Sequence, residues 1–194
     1  MLKRILLVLT ASIFMASVAC ANPTEDVKKT VDEVVHIVAD KELKKNDTKR
    51  RQALKKAISG IFDYSEMAKL SLGKHWPPRT AAEKKQFAEL FATLLENSYA
   101  GKIESYNNEK IVYIKEISLD DKHVEVKSKV VTAARDEFTL DYRLVNQNGK
   151  WMVYDVIIEG VSLVSNYRSQ FNKIITNSGY DKLVQKLQSK NQEL

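Results

Sequence analysis

Asp155, Glu159 and Arg143 are the residues whose types and spacing come nearest to acid–base chemistry. The two carboxylates lie four residues apart in a predicted strand, so a regular strand would place both on one face. Such a pair is able to work as a general acid and base in hydrolysis. A carboxylate between a strand and a helix, however, more often pairs with an arginine or caps backbone N–H groups. We therefore predict no catalysis here, with an exported hydrolase or small-ligand binder using Asp155 and Glu159 as the alternative.

No other motif of the sequence indicates an enzyme, a metal site or a nucleic-acid interface. His36, His75 and His123 lie in a helix, a proline-containing loop and a strand start, and their spacing fits no metal-ligand motif. The sequence has no glycine-rich phosphate loop and no nucleophile elbow. It also lacks a concentrated basic and aromatic motif for nucleic acid. We predict a protein without catalytic residues, metal or cofactor.

The first 21 residues have the features of a signal peptide. Lys3 and Arg4 form a basic start, and residues 5–18 are an apolar run that is too short to span a bilayer comfortably. Small residues suited to a cleavage site follow this run. We predict cleavage after Ala21, a single domain over residues 22–194, and a protein exported from the cytoplasm.

Cys20 gives an alternative, because a lipoprotein signal keeps a cysteine as the first mature residue and tethers the protein to a membrane. That signal has an aliphatic residue three positions before the cysteine, where this sequence has Ser17. We therefore favour removal of Cys20, which leaves a mature chain without cysteine and compatible with an oxidising compartment. The formal charge of +6 is modest, and fits either an uninformative excess of lysine or attraction to anionic lipid headgroups.

Most of the chain before the sheet is predicted to be helical. Asn22, Asp63 and Thr80 are each followed three residues later by glutamate, which is the pattern of a capped helix start. The longest predicted helix follows Thr80 and has apolar side chains at helical spacing. They are Phe87, Leu90, Phe91, Leu94, Leu95, Tyr99, Ile103 and Tyr106. This face either packs against a sheet or forms one wall of an apolar pocket.

From Ile111 onward the apolar period falls to two, which predicts a β-sheet. Four strand-like runs cover residues 111–119, 122–132, 137–146 and 150–159, and the short turns between them predict an antiparallel meander. Apolar and charged residues alternate in the second and third runs, so one face is predicted to be core and the other partly wet. The predicted core face contains Val124, Val126, Val130, Phe138, Leu140, Tyr142 and Leu144.

The stretch from Gly149 to Phe171 joins this sheet to a closing helix. Its first half, from Trp151, is apolar on both faces, which is typical of a central strand covered on both sides. After Gly160 the spacing becomes helical, and Ser162 is the predicted cap. The fold class is therefore α+β: a curved, four-stranded antiparallel sheet covered by N-terminal helices and a C-terminal helix. Such a sheet either fills its interior or leaves a cavity for an apolar ligand.

Three long segments resemble a known family. They are FDYSEMAKLSLGKHW (62–76), TAAEKKQFAELFATLLENSYAGKI (80–103) and DYRLVNQNGKWMVYDVIIEGVSLVSNYRSQFNKII (141–175). The pattern W-x-V-Y-D-V-x-x-E-G-V-S-L-x-x-N-Y-R-x-x-F within the last segment is long enough to be specific. All three are similar to the MlaC family of periplasmic phospholipid-binding proteins, also called the toluene-tolerance family. We accordingly expect an NTF2-like, cone-shaped sheet that encloses an apolar pocket.

The resemblance implies a carrier that holds phospholipid acyl chains inside the domain and leaves the headgroup exposed. The implied cargo is phospholipid. The implied partners are an outer-membrane lipoprotein complex and the inner-membrane MCE-domain protein of an ABC transporter, between which the carrier shuttles lipid. Burial of each methylene contributes about 0.8 kcal/mol, so an apolar pocket is sufficient to hold acyl chains. The resemblance further implies a soluble monomer in the periplasm that needs no cofactor.

The resemblance also suggests which residues line the pocket. We select the valine of the E-G-V-S motif, the inward side chains of the sheet and the apolar face of the long helix. The predicted lipid-binding residues are Val161, Phe138, Leu140, Tyr142, Phe91, Leu95, Tyr99, Val124, Val126 and Trp151. The same side chains are also expected in an ordinary hydrophobic core.

Overall fold

The computed structural model describes residues 22–106 and 109–193, so the predicted signal peptide lies outside the described residues. The described residues form six α-helices, five strands and two short 3-10 turns. In chain order they are α1 (Pro23–Ala39), a 3-10 turn (Leu43–Lys45), α2 (Asp47–Ser59), α3 (Tyr64–Leu72), a 3-10 turn (Gly73–His75), α4 (Ala81–Glu104), β1 (Lys110–Ser118), β2 (His123–Val131), β3 (Glu137–Gln147), β4 (Lys150–Ile158), β5 (Val161–Ser162), α5 (Leu163–Ser178) and α6 (Tyr180–Glu193). Within the described ranges, none of these helices combines the length and apolar character needed to cross a membrane.

Capping side chains confirm the predicted helix starts. The Asn22 side chain accepts hydrogen bonds from the backbone N–H groups of Thr24 and Glu25 at the start of α1. At the start of α4, the side chains of Thr80 and Glu83 each accept a hydrogen bond from the other residue's N–H. These bonds satisfy N–H groups that a first helical turn leaves without partners, which explains why the helices begin here.

Helices α3, α4, α5 and α6 pack around an aromatic core, called here the helical cluster. Phe87 and Phe91 of α4 are fully buried, and both meet the ring of Phe171 in α5 edge-on with ring centres 5.6 Å apart. Met67 of α3 and Leu183 of α6 are also buried in this cluster. Edge-to-face ring contacts are favourable beyond the burial of area, so they hold α5 against α4.

The strands form one antiparallel sheet in the order β1–β2–β3–β4–β5. The four predicted strands are confirmed, and the sheet gains a short fifth strand that the pattern did not indicate. The predicted helix after Gly160 begins later, at Leu163. Glu159 and Gly160 have φ angles of 49° and 76° and form a two-residue turn, across which Ile158 pairs with Val161. Two positive φ angles match the twist of the flanking strands, so the chain reverses here before the helix starts.

The segment between α2 and α3 fastens the helices to the sheet. Val153 of β4 donates its N–H to the carbonyl of Ile61 at 2.8 Å, and Asp63 donates its N–H to the carbonyl of Val153 at 2.9 Å. The Asp63 side chain also accepts hydrogen bonds from Gln147 Nε2 of β3 and from the N–H of Glu66 in α3. The outer edge of β4 is therefore partly covered, and α3 is held at that edge.

A β-bulge in β4 bends the sheet. Tyr154 is the extra residue, because Asp155 lies opposite Arg143 while Val153 lies opposite Leu144. The β1–β2 pair has a similar register shift. Bulges increase the local twist and bend a strand, so the sheet is curved and has a concave inner face. This is the predicted α+β architecture, an open curved antiparallel sheet with helices packed on it.

Candidate functional site

The inner face of the sheet is apolar because alternate residues of neighbouring strands lie opposite one another. Val124 lies opposite Leu144, and Val126 lies opposite Tyr142. Tyr142 in turn lies opposite Val156 of β4. Val126 and Leu144 are fully buried. The predicted core face of the second and third strands is confirmed at Val126, Val130, Tyr142 and Leu144, whereas Phe138 at its end is exposed and does not belong to the core.

Helices and the segment between α2 and α3 cover this face, and the apolar layer between them is called here the inner cluster. Its buried residues are Val27, Ile61, Val126, Tyr142, Leu144, Val153, Val156 and Leu163. Other apolar residues pack against it and are half-buried. They are Val31, Phe62, Tyr99, Tyr113, Val124, Leu140, Trp151 and Ile158. The inner cluster is therefore only partly sealed from solvent.

Most of the predicted lipid-binding residues lie in or against the inner cluster. They are Val124, Val126, Leu140, Tyr142, Trp151 and Tyr99. Phe91 and Leu95 are buried in the helical cluster, where the rings of Phe91 and Tyr167 meet edge-on at 5.1 Å. Tyr99 packs against both clusters, so α4 contributes to each of them.

Phe138 and Val161, the remaining predicted residues, lie at one end of the inner face. Val161 is 56% exposed and Phe138 is 36% exposed. Val161 lies opposite Ile158, and Ile158 lies opposite Leu140 of β3. We call Phe138, Leu140, Ile158 and Val161 the apolar rim. The rim is accessible to solvent and continuous with the inner cluster, because Leu140 and Ile158 also pack against that cluster.

Two surface grooves among the described residues are lined by charged or amide side chains. One runs along α1 and is lined by Glu25, Lys28, Lys29, Asp32, Glu33 and His36. The other lies at two hairpin turns and is lined by Asp121, Lys122, Asn146, Gln147 and Asn148. Neither groove has apolar residues along its walls. The acyl-chain hypothesis therefore depends on the inner cluster and the rim.

The outer face of the sheet carries a network of charged side chains. Arg143 Nε donates a hydrogen bond to Glu125 at 2.7 Å. Lys127 Nζ lies 2.5 Å from Glu125 and 2.8 Å from Asp141, and both carboxylates are buried. Burial acts to raise the pKa of Glu125, but hydrogen bonds from Lys127 and Arg143 outweigh it and lower the pKa. Hydrogen bonds to Asp141 and Glu125 raise the pKa of Lys127, so Glu125 and Lys127 are both charged at neutral pH.

Asp155 belongs to this outer-face network and holds the start of α5. Its carboxylate accepts hydrogen bonds from Ser162 Oγ at 2.5 Å and from the N–H of Val164 at 3.1 Å, and it lies 3.6 Å from Arg143 Nη1. Ser162 Oγ in turn accepts the N–H of Ser165, as predicted for the helix cap. The carboxylate is thus engaged in joining the end of β4 to α5.

Glu159 does not share a strand face with Asp155, so that expectation is wrong. The strand ends at Ile158, and Glu159 lies in the following turn with a positive φ angle. Its exposed side chain accepts a hydrogen bond from the N–H of Thr139 at 2.5 Å. The two carboxylates therefore bind different parts of the backbone, and the pair expected for acid–base chemistry is not assembled.

The histidines occupy separate local environments. His75 Nε2 lies 3.0 Å from Asn172 Oδ1, and His123 Nδ1 lies 2.8 Å from Asp120. His36 is exposed on α1. In the part of the chain that the structure describes, no group of three or more His, Cys, Asp or Glu residues is placed to hold a metal ion.

Sequence reasoning did not assign to the site four residues that lie in or against the inner cluster, namely Val27, Val31, Ile61 and Tyr113. Val27 and Val31 of α1 follow a helical spacing that was a usable signal for a buried face, although it does not say against what the face packs. Helical spacing predicts Ile61 on the apolar face of the second helix, but α2 ends at Ser59 and Ile61 lies in the connection that follows. Tyr113 lies in the first strand, and its spacing does not show which layer it joins. Ile61 and Tyr113 join the inner cluster because β4 pairs with the connection and β1 pairs with β2.

Comparisons with known proteins give relatives along nearly the whole chain. Residues 28–189 match the family model described as MlaC protein. The toluene tolerance protein ttg2D of Pseudomonas putida is 28% identical over 183 residues, covering 93% of this chain and 85% of that protein. The intermembrane phospholipid transport system binding protein MlaC of Haemophilus influenzae is 28% identical over 121 residues, covering 60% of this chain and 56% of that protein.

A solved structure has the same fold. It is the phospholipid-binding protein from Ralstonia solanacearum in complex with a phospholipid, which is similar with a TM-score of 0.80 and 29% sequence identity. The likeness covers 89% of this chain and 98% of that one. Because the family model extends from residue 28 to residue 189, and thus over most of its length, this chain belongs to the MlaC family.

Proposed function

We propose that this protein is a phospholipid carrier that holds acyl chains against the inner cluster and presents the headgroup at the apolar rim. The main support is the fold shared with a protein solved in complex with a phospholipid, at a TM-score of 0.80 and 29% identity. The rim adds to this support, because it exposes Phe138 and Val161 beside an apolar layer that several elements share.

The energy for binding comes from removing acyl chains from water. Each buried methylene contributes about 0.8 kcal/mol, so a chain of about fifteen methylenes gains about 12 kcal/mol. This is a large gain even after the cost of ordering the lipid. A carrier of this kind needs no bond-making step and no cofactor.

The predicted lipid-binding residues have distinct roles in this proposal. Val124, Val126, Leu140, Tyr142, Trp151 and Tyr99 are the contacts for the acyl chains. Phe138 and Val161 flank the opening, because they are the exposed members of the rim. Phe91 and Leu95 are buried in the helical cluster, so in this proposal they meet only the ends of acyl chains that reach past Tyr99, which packs against both clusters.

The proposal includes where the carrier works and with what. Residues 1–21 direct export and are removed, which places the mature chain in the periplasm as a monomer. There it exchanges lipid with an outer-membrane lipoprotein complex and with the inner-membrane MCE-domain protein of an ABC transporter. The support is the relative in Haemophilus influenzae, whose name is that of a binding protein in an intermembrane phospholipid transport system.

The hydrolase alternative has no contact in its favour. Asp155 is engaged by Ser162, the N–H of Val164 and Arg143, and Glu159 is engaged by the N–H of Thr139. Both carboxylates therefore have partners that hold the fold together. A carrier function explains the apolar inner cluster and requires neither carboxylate.

Native mass spectrometry of the purified mature chain tests the carrier function. We expect added masses that correspond to phospholipid, and we expect organic extraction to remove them. Protein that stays free of lipid after purification and after incubation with phospholipid vesicles would contradict the proposal. Release of fatty acid from those vesicles by the same protein would favour the hydrolase instead.

A further inference from the structure

We propose that the hydroxyl group of Tyr113 binds an ester carbonyl of the carried phospholipid. The inference rests on the proposed carrier function and deepens it, because it assigns a polar atom of the lipid to a residue inside the apolar layer. Acyl chains alone would fit any apolar surface. A carbonyl contact would select lipids whose chains are joined to glycerol by esters.

Tyr113 is a half-buried residue packed against the inner cluster, and its one side-chain polar atom is unsatisfied. It lies in β1 opposite Ser128, and its ring packs against the inner cluster. Its hydroxyl oxygen is buried and has no hydrogen-bond partner among the described residues. Leaving a buried hydroxyl unpaired costs about 1–3 kcal/mol, and buried polar groups of native proteins are nearly always bonded. This position therefore suits a partner that arrives with a ligand.

Other buried polar atoms without a hydrogen-bond partner do not support a ligand in the same way. They belong to Arg50, Arg79, Glu104 and Asn191, and each of these side chains makes a hydrogen bond or ion pair through another atom. None of them is part of the inner cluster. The hydroxyl oxygen is the only polar atom of the Tyr113 side chain. No other atom of this side chain is therefore able to form a hydrogen bond that offsets the cost of burying the hydroxyl.

The tyrosine hydroxyl is a hydrogen-bond donor over the whole physiological range of pH. Burial, followed by the nearby carboxylates of Asp32 and Glu25 on α1, raises the pKa of Tyr113 to about 12. Tyr142 lies in the same layer, and burial together with the nearby Tyr113 raises the pKa of this second phenol. Both groups therefore keep their protons at neutral pH, and the Tyr113 hydroxyl, which has no hydrogen-bond partner among the described residues, is able to donate its proton to an acceptor.

The charges around Tyr113 favour a neutral acceptor over a phosphate. Asp32 and Glu25 are close enough to Tyr113 to oppose its ionisation, so they would also oppose a phosphate placed at its hydroxyl. A buried phosphate would further need cationic partners, which the inner cluster does not supply among its described residues. An ester carbonyl is neutral and lies between the acyl chain and the headgroup. It is thus the lipid atom that best matches a hydroxyl at the border of an apolar layer.

Competition between two lipids tests the proposal on the full mature chain after extraction of bound lipid. The lipids are a diacyl phospholipid and its dialkyl ether analogue, with the same headgroup and the same chain lengths. We expect the wild type to bind the diacyl form about three to ten times more tightly, as one hydrogen bond to a buried donor allows. Tyr113→Phe should bind both lipids equally well, as measured by native mass spectrometry.

Tyr154→Phe is the matched control, because it removes a phenol hydroxyl from the outer face of the same sheet, where the ring contacts His123. It should keep the preference of the wild type. Tyr113→Phe should be at least as stable as the wild type without lipid, since it removes an unpaired buried hydroxyl. An infrared spectrum of lipid labelled at the carbonyl carbon should show a hydrogen-bonded band with the wild type that is lost with Tyr113→Phe.

The outcomes separate this proposal from the carrier function. If the wild type and Tyr113→Phe both carry phospholipid but share one diacyl-to-ether ratio, the Tyr113 assignment is wrong and the carrier function stands. The assignment is also wrong if the wild type shows no preference for the diacyl lipid, as a buried water on Tyr113 would produce. If the wild type carries neither lipid, the carrier function fails and the assignment fails with it.

Discussion

Val161 is the most exposed residue of the apolar rim, and this exposure makes it a direct probe of the proposed site. We expect Val161→Glu to abolish lipid retention, because a carboxylate at the opening would have to lose its hydration beside the acyl chains. The substitution is at a surface position, so the free energy of unfolding should change by no more than about 0.5 kcal/mol. Lipid occupancy by native mass spectrometry and a thermal melt measure the two effects.

Leu119→Glu is the control for Val161→Glu, since Leu119 is 47% exposed in the turn between β1 and β2, at the other end of the sheet. This variant should keep its lipid. A folded Val161→Glu protein with normal lipid occupancy would show that the rim is not the opening of the site.

For Asp155 we expect substitution to lower stability but to leave lipid binding unchanged, because its contacts hold the fold together. Asp155→Asn removes the charge near Arg143 and weakens the bond from Ser162, so we expect a loss of about 1–3 kcal/mol in the free energy of unfolding. Retention of lipid should remain close to that of the wild type. Urea unfolding measures the free energy of unfolding, and native mass spectrometry measures the lipid occupancy. A variant that is as stable as the wild type but free of lipid would place Asp155 in the binding site instead.

At the scale of elements, the sheet has one apolar face and one charged face, and the charged face makes stability depend on pH. The pKa of Glu125 is lowered in the fold from its ordinary value of 4.5. Its stabilising contribution is therefore complete above about pH 4.5 and is lost as the pH falls through the lowered pKa. We expect Glu125→Gln to lose about 1–3 kcal/mol at pH 7, and the difference from the wild type to shrink as the pH falls through the lowered pKa of Glu125.

Glu137→Gln is the matched control for Glu125→Gln, because Glu137 pairs with Lys129 on the same sheet but is half exposed, at 52% of its side-chain surface. An exposed pair contributes less than about 1 kcal/mol, so this variant should stay near the wild type at every pH. Urea unfolding across the pH range provides the comparison. A difference between Glu125→Gln and the wild type that stays constant as the pH is lowered into the acid range would rule out the proposed role of the Glu125 charge.

At the scale of the whole molecule, the inner cluster is built from α1, the connection after α2, three strands and α5, so a lipid bound there contacts elements far apart in the chain. Binding to the folded state stabilises it by about 2.7 kcal/mol when lipid is present at one hundred times its Kd. For a chain of this size, extraction of the lipid should lower Tm by about 5–10 °C. Differential scanning calorimetry before and after extraction measures the shift.

Adding phospholipid back should restore Tm for the wild type but not for Val161→Glu, which serves as the binding-deficient control. Equal melting temperatures for the extracted and lipid-loaded wild type would mean that lipid does not bridge these elements. The carrier function would then need a site other than the inner cluster.

The sequence alone was sufficient for the features that depend on neighbours in the chain. The caps at Asn22 and Thr80, the four long strands and the apolar face shared by Val126 and Tyr142 all follow from local spacing and side-chain chemistry. The long motif from Trp151 to Phe171 was also sufficient for the family, because its pattern is specific. These features need only short-range hydrogen bonds and the periods of helix and strand.

Only the tertiary structure decided which apolar faces meet. Phe91 and Tyr99 both belong to the apolar face that helical spacing predicts for α4. In the structure Phe91 packs only in the helical cluster, whereas Tyr99 packs against both clusters. Likewise the sequence predicts that Val161 is buried like other apolar residues. It is exposed in the structure, because the turn at Glu159 places it in a fifth strand at the edge of the sheet. The spacing of apolar residues along the chain predicts that a side chain is buried. It does not predict which side chain it contacts, because that contact depends on residues distant in sequence. For the same reason the unpaired hydroxyl of Tyr113 is visible only once the strands and α1 are in place.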